Sequence, residues 1–300
     1  MTGAGFAQRY AEVLEARATR PESVAESAGK RARRDLLGSD GRLLIIAADH
    51  PARGVLGTGD AMADRCEMLR RLCLALEHPG VDGVLATPEV MEDLLLLGVL
   101  DGKLAIGSMN RGGLAGSAFE IDDRFTAYDP AAIEAAALDG GKMLLRIDDT
   151  DPATPGMLES CARAVTGLAG RRLMAMVEPF LARRDEHGRV RNLLTAEAMT
   201  RAVAVASALG TTSAYTWLKV PVVPGLDRVL AASSLPALLL GGEVAADQAA
   251  VRAGWRAAMQ LPTVRGLVVG RSLLYPPDDD VAAAVEAAAR VVRAPNGGTA

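Results

Sequence analysis

Four of the 33 basic residues in this 300-residue chain are lysine (Lys30, Lys103, Lys142 and Lys219), and the rest are arginine. Lys219 lies in the run TSAYTWLKVPVV at 212–223, whose aromatic and β-branched residues read as a buried strand with Lys219 near its end, just before Pro221. Arginine stays protonated and cannot form an imine; a desolvated lysine can lose its proton and attack a carbonyl. Where arginine is the general cation, a lysine here points to imine chemistry. The competing structural explanation is a lysine whose stem packs inward while its ammonium reaches water. This strand alone leaves both open.

Other chemistry-bearing residues fall at comparable places. Apolar runs end in Asp49-His50, near Ser108, Asn110 and Arg111, in Glu178-Pro179, in Gly241-Gly242-Glu243 and in Gly270-Arg271. Another run carries Lys142 and Arg146 on one parity, with Asp148 beyond. Polar groups at the ends of apolar strands are costly to bury unpaired, so their recurrence is informative. The carboxylates Asp49 and Glu178 are candidates for proton transfer. Gly241-Gly242 and the Gly270-Arg271 pair suit an anion, because glycine lets backbone amides approach closely and Arg271 precedes a helical region. Either glycine feature alone is also ordinary turn chemistry.

The elements that would position these residues alternate regularly. Strand-like runs occur at 43–49, 81–87, 103–109, 142–148, 172–180, 214–220, 235–242 and 264–271. Helical segments separate them: 60–78, 88–98, 130–138, 156–168, 195–209, 225–232, 245–258 and 279–293. The runs are apolar on both parities, as parallel strands covered by helices must be. Eight β/α units predict an α/β fold, a (β/α)8 barrel over 43–293. It carries an N-terminal helical extension over 1–38 and a frayed tail at 294–300, in one domain. The extension reads as helices at 5–17 and 21–36, with KRARRD at 30–35 as a solvated helix face. A doubly wound open sheet is the alternative, but the turn after the first strand, DHPARG, lacks the G-x-G-x-x-G pattern.

Composition narrows the partners. The net charge of −4 leaves no footprint for nucleic acid. No apolar run is long enough for a membrane span, and the N-terminus lacks the apolar core of a signal peptide, so a cytoplasmic protein is expected. Cys66, Cys73 and Cys161 fit reduced thiols better than a metal or catalytic site. His50, His78 and His187 are far apart and form no metal-binding pattern, so neither a metal nor another cofactor is expected.

The motifs AADHPARG, WLKVP, LLLGGEV and GLVVGRSLLY, spread over 43–275, resemble the class I, Schiff-base aldolases of the barrel type. These include the archaeal-type fructose-bisphosphate aldolases and the tagatose-bisphosphate aldolases. The segment NRGGLAGSAFEIDDRFTAYD at 110–129 is similar to a bacterial group of aldolase-like barrels, labelled deoxyribose-phosphate aldolases and found beside inositol-breakdown genes. The resemblance implies Lys219 as the imine-forming lysine and Asp49 beside it, handling protons or substrate hydroxyls. It implies Glu178 as the acidic residue of the fifth strand. Arg146, with Lys142 as the alternative, stands where the tagatose-type enzymes have a strand-four lysine. Gly242, Gly270 and Arg271 would hold a phosphate, and Gly241, His50, Asn110 and Arg111 complete the candidate binding set. The archaeal-type enzymes have a tyrosine at the end of strand four; here Arg146 and Asp148 occupy that region, which leaves the proton donor open. Assembly into a homo-oligomer is implied by the same likeness.

The expected function is reversible carbon–carbon cleavage of a phosphorylated ketose or keto-acid. Inositol-linked relatives imply 2-deoxy-5-keto-gluconate phosphate, split into dihydroxyacetone phosphate and malonate semialdehyde. Acyl transfer or isomerisation through the same lysine, and a non-catalytic sugar-phosphate-binding barrel, are the alternatives. The loop at 110–129 exceeds an ordinary βα connection. It is expected to be anchored by Phe119, Ile121, Phe125 and Tyr128 and to have charges that pair internally. As a flap over the barrel mouth, it would bring Arg111 or Arg124 within reach of the Lys219 pocket.

Overall fold

Nine strands form one sheet in the computed structural model, which describes residues 3–54, 56, 62–111, 113–241 and 247–294. They are β1 (Leu43–Ala48), β2 (Gly83–Ala86), β3 (Leu104–Ser108), β4 (Gly140–Ile147), β5 (Met174–Arg184), β6 (Val190–Asn192), β7 (Thr216–Pro221), β8 (Ala237–Leu240) and β9 (Val264–Val269). All except β6 are parallel, and pairing of β1 with β9 and of β4 with β5 closes the ring. The chain is therefore a closed eight-stranded TIM barrel, as the alternation predicts.

Strand parity divides the apolar residues into two layers. Leu43, Ile45, Ala47, Leu104, Ile106, Met174, Met176, Trp217 and Val268 belong to one inner cluster, and their strand neighbours pack outward against the helices. Continuing each inner series by two residues reaches Asp49, Ser108, Glu178, Lys219 and Gly270. A period of two thus carries polar groups to the same end of the barrel lumen.

The surrounding helices are α1 (Gly3–Thr19), α2 (Ser23–Lys30), α3 (Arg65–Glu77), α4 (Pro88–Leu96), α5 (Pro130–Ala135), α6 (Thr154–Ala169), α7 (Ala196–Ser207), α8 (Leu226–Leu230), α9 (Gln248–Ala258), α10 (Arg271–Leu274) and α11 (Val281–Arg293). Asp64, Asp129, Thr195, Asp247 and Asp280 start helices by accepting the amide hydrogen three residues on, the usual side-chain cap. Among the described residues, no helix is long and apolar enough to cross a membrane.

Two expectations need correction. The second N-terminal helix stops at Lys30 instead of running to 36, and KRARRD is not a solvated helix face. Arg31 is buried against Asp139 at 3.1 Å, Arg33 meets the same carboxylate at 2.9 Å, and Arg34 reaches Asp82 at 2.7 Å. Helix periodicity cannot register carboxylates 48 or more residues away, which draw this segment across the amino end of the barrel. The charged stretch after the fifth strand run is ordered as well. β5 extends to Arg184 and pairs antiparallel with β6, and the intervening turn is held by Asp185, which accepts from the amides of His187 and Arg189. The start of the helix expected at 60, residues 245–246 and the tail 295–300 lie outside the described residues.

Candidate active site

β5 and β7 run side by side, with Val177 opposite Leu218, which brings the next residues, Glu178 and Lys219, together. The Lys219 ammonium lies 3.1 Å from Glu178 Oε1. Lys142, from β4, holds the other oxygen of Glu178 and reaches Asp49 Oδ2 at 3.2 Å. Asp49 Oδ2 also accepts from Ser108 Oγ at 3.1 Å and from the Arg111 guanidinium, with Nε at 3.0 Å. Five strands, through residues on them or just past them, thus feed one chain of alternating charges: Arg111, Asp49, Lys142, Glu178, Lys219. The Lys142 side chain has 0% exposure, and Asp49, Glu178 and Lys219 are buried.

Burial sets the electrostatics. On its own it would raise the Asp49 and Glu178 carboxyls. Arg111, Lys142 and Lys219 overcome that for Asp49, and Lys142, Lys219 and Arg111 do so for Glu178, so both are held well below the usual carboxylate range. Both are therefore proton acceptors near neutral pH. Burial, aided by Arg111, pushes the Lys142 ammonium down to about 8, against the pull of Asp49 and Glu178. Burial also pushes His50 down to about 3, against the pull of Asp49 and with help from Arg111, Lys219 and Arg271. His50 is neutral at physiological pH.

The other sequence candidates separate. Arg111 enters the charge chain, as the loop expectation required. Asn110 does not face it: its amide donates to Leu144 O at 2.6 Å and accepts from Leu144 N at 2.7 Å, stitching the end of β3 to β4 as a backbone pair would. Arg146 does not join the lysines either. Its Nε donates to Asp123 Oδ2 at 2.7 Å and its Nη2 to Asp123 Oδ1 at 2.6 Å and to the Glu120 carbonyl. Of the two strand-four cations, Lys142 is the one placed beside Glu178 and Asp49; Arg146 lies four residues further along the strand, where the loop supplies its partners.

The glycines have packing reasons of their own. A Cβ at Gly270 would come 2.2 Å from the Ala47 carbonyl oxygen, and one at Gly241 would come 2.6 Å from Val269 Cγ1. Close approach of neighbouring strands therefore demands glycine there, with or without a phosphate. Gly270 is the N-cap of α10, whose first residue is the half-buried Arg271, so backbone and guanidinium share this end of the barrel. Gly242 lies outside the described residues.

The loop after β3 crosses the carboxyl end. Ala115 N donates to Arg53 O at 3.0 Å, Arg53 Nε donates to Gly113 O at 3.0 Å, and Arg184 donates to Ala118 O at 2.7 Å. With Arg146 on Asp123, the loop is tied to elements following or forming β1, β4 and β5. Ile121 and Tyr128 are buried and Phe125 partly so, but Phe119 is 52% exposed and does not anchor the loop. Its charges do not simply pair internally: Glu120 and Asp123 meet Arg53 and Arg146, and among the described residues only Arg124 and Asp122 pair within the loop. Arg124 is 77% exposed and lines a groove against α6 with Phe125 and Met157. Sequence reasoning did not single out Arg53, and no local pattern marks it; its partners lie 60 and 67 residues away.

Residues 41–289 match the family model described as Cgl0159-like. The crystal structure of Cgl0159 from Corynebacterium glutamicum is 49% identical, with a TM-score of 0.92 over 95% of this chain and 97% of that one. An archaeal fructose-1,6-bisphosphate aldolase, its catalytic lysine covalently bound to the carbinolamine intermediate of the substrate, is 18% identical. It has a TM-score of 0.66 over 90% of this chain and 99% of that one. The fructose-bisphosphate aldolase of Slackia heliotrinireducens is 15% identical, with the same TM-score over 84% of this chain and 81% of that one. These two likenesses establish the shared barrel. No curated protein matches the sequence.

Proposed function

The chain belongs to the Cgl0159-like family, and from its site we propose a class I aldolase that cleaves a phosphorylated ketose or keto-acid through an imine on Lys219. The observation that carries this reading is the buried Lys219 amine, 3.1 Å from a carboxylate held by a second buried lysine. In the reaction, Lys219 passes a proton to Glu178 and its amine adds to the ketone to give a carbinolamine. Glu178 returns that proton as water leaves, which gives the iminium. Glu178 takes the proton of the hydroxyl whose oxygen becomes the aldehyde, the carbon–carbon bond breaks, and its electrons pass to the iminium to form an enamine. Protonation of the enamine and hydrolysis release the second product and restore the lysine.

In this reading Lys142 is a positioning cation, since it has no exposed surface and both carboxylates hold it. Arg271, beside Gly270, receives the phosphate. The tied loop limits water at the iminium and slows its premature hydrolysis. Support for the imine also comes from the archaeal aldolase of the same fold, whose catalytic lysine carries the carbinolamine. The motif resemblance makes 2-deoxy-5-keto-gluconate phosphate the first substrate to assay, with dihydroxyacetone phosphate and malonate semialdehyde as products.

The test is borohydride reduction in the presence of that substrate and of dihydroxyacetone phosphate, followed by peptide mapping. An adduct on the Lys219 peptide is expected in the wild type and in protein treated with a chelator, and none in Lys219→Arg, which keeps the charge without the imine chemistry. An adduct on the Lys142 peptide instead would transfer the nucleophile to β4. No adduct on either, in protein that turns the substrate over, would remove the imine mechanism.

A further inference from the structure

Asp49 presents two unlike oxygens. Oδ2 is crowded by Ser108, Arg111 and Lys142. Oδ1 is buried and has no hydrogen-bond partner among the described residues, and the same is true of His50 Nδ1. A buried carboxylate oxygen and a buried ring nitrogen each lose free energy when left unpaired. These two atoms face each other at 3.9 Å. That is too long for a direct hydrogen bond. One oxygen placed about 2.8 Å from each would bridge them at an angle of about 90°.

We propose that His50 Nδ1 and Asp49 Oδ1 together grip one hydroxyl of the substrate, on the carbon next to the carbonyl that Lys219 attacks, and that His50 is thereby a specificity residue. This rests on the reading of Lys219 as the imine-forming lysine.

The chemistry of the pair selects a hydroxyl. Asp49 is ionised and can only accept, while the neutral imidazole donates from the nitrogen that carries its proton. With the proton on Nδ1, the bridging atom must donate to one partner and accept from the other. A hydroxyl does both at a single oxygen. A ketone oxygen can only accept, and a methyl group does neither. The position also fits. His50 lies beside Asp49, and Lys142 couples Asp49 to the carboxylate beside Lys219. The His50 ring also lies against Gly270, where a Cβ would come 3.3 Å from its Cε1, the carbon bonded to Nδ1. The hydroxyl would thus sit between the imine carbon and the end of β9. The imidazole is 22% exposed, while the two facing atoms are covered.

Dihydroxyacetone phosphate and hydroxyacetone phosphate test this on the full chain, because they share a ketone and a phosphate and differ only in the hydroxyl next to the carbonyl. Half-saturation is read in two ways: from the borohydride-trapped Lys219 adduct and from calorimetric binding. Wild-type protein is expected to favour dihydroxyacetone phosphate by about tenfold or more, the effect of one hydrogen bond to a charged group. His50→Ala is expected to cut that preference below about threefold while leaving hydroxyacetone phosphate nearly unchanged. His50→Asn, whose amide nitrogen falls near the Nδ1 position, is expected to restore much of it. Equal affinity for both probes in the wild type, as when a water alone bridges the pair, overturns the proposal without any variant. So does a preference that survives His50→Ala. A calorimetric preference with no trapped adduct overturns the imine reading and keeps the hydroxyl grip. Binding of neither probe overturns both.

Discussion

Lys142 is the residue on which the charge of the site turns. It sits between Asp49 and Glu178 with no water contact, and its proton is held only to about pH 8. In an unfolded chain a lysine keeps its proton to about pH 10.4. Between these values the unfolded state binds the extra proton, so the contribution of this group to stability rises with pH; below about 8 both states are protonated and the contribution is constant. Lys142→Met removes the titration. The stability difference between the two proteins should therefore shift in favour of the wild type as pH rises through that window. Thermal melts at matched ionic strength check this, and a pH-independent difference would mean that Lys142 keeps its proton throughout.

At the scale of the element, the loop at 110–129 is held by charges that belong to other parts of the chain. Burial raises the Asp123 carboxyl and opposes the pull of Arg146, so this ion pair is costly to form and costlier to break. Arg146→Met leaves Asp123 buried without its bidentate partner and is expected to lose about 3–5 kcal/mol in denaturant unfolding. Arg146→Met combined with Asp123→Leu should recover most of that loss, because replacing both buried charges with apolar groups is often neutral. If the double variant is no more stable than the single one, the pair is not what fixes the loop. The exposed Phe119, by contrast, is not expected to matter to stability.

The whole molecule closes at the opposite end of the barrel from the site. Asp82, just before β2, accepts from Leu44 N at 2.7 Å and from Arg34 at 2.7 Å, and it also pairs with Arg293 at the end of α11. One buried carboxylate therefore joins the N-terminal segment, the first strand and the last helix. Asp82→Ala is expected to lower the melting temperature by several degrees, consistent with about 3 kcal/mol or more for a broken buried pair. The yield of trapped Lys219 adduct per folded molecule should not change, because the two ends are separated by the packed lumen. A melting temperature within about 1 °C of the wild type would show that closure does not depend on Asp82.

Much of this was written in local order along the chain. Eight apolar runs alternating with helical segments point to parallel strands covered on both faces, and the pairing of β1 with β9 decides for a closed barrel over an open sheet. Asp49, Glu178 and Lys219 stood out because a polar group at the end of an apolar run is costly to bury, and strand parity then sends all three into the lumen. Partner choice is a different matter. Lys142 and Arg146 share a strand and a parity, yet one meets Glu178 and the other meets a loop residue 23 positions earlier. Asn110 and Arg111 are neighbours, yet one mimics backbone and the other grips Asp49. Arg31, Arg33 and Arg34 read as a wet helix face until Asp82 and Asp139 take them. A charge pair is set by distance in space, and its two members carry no mark of each other in sequence. Only the closed barrel, which brings separate strand ends within a few ångströms, decided which cation faces which carboxylate.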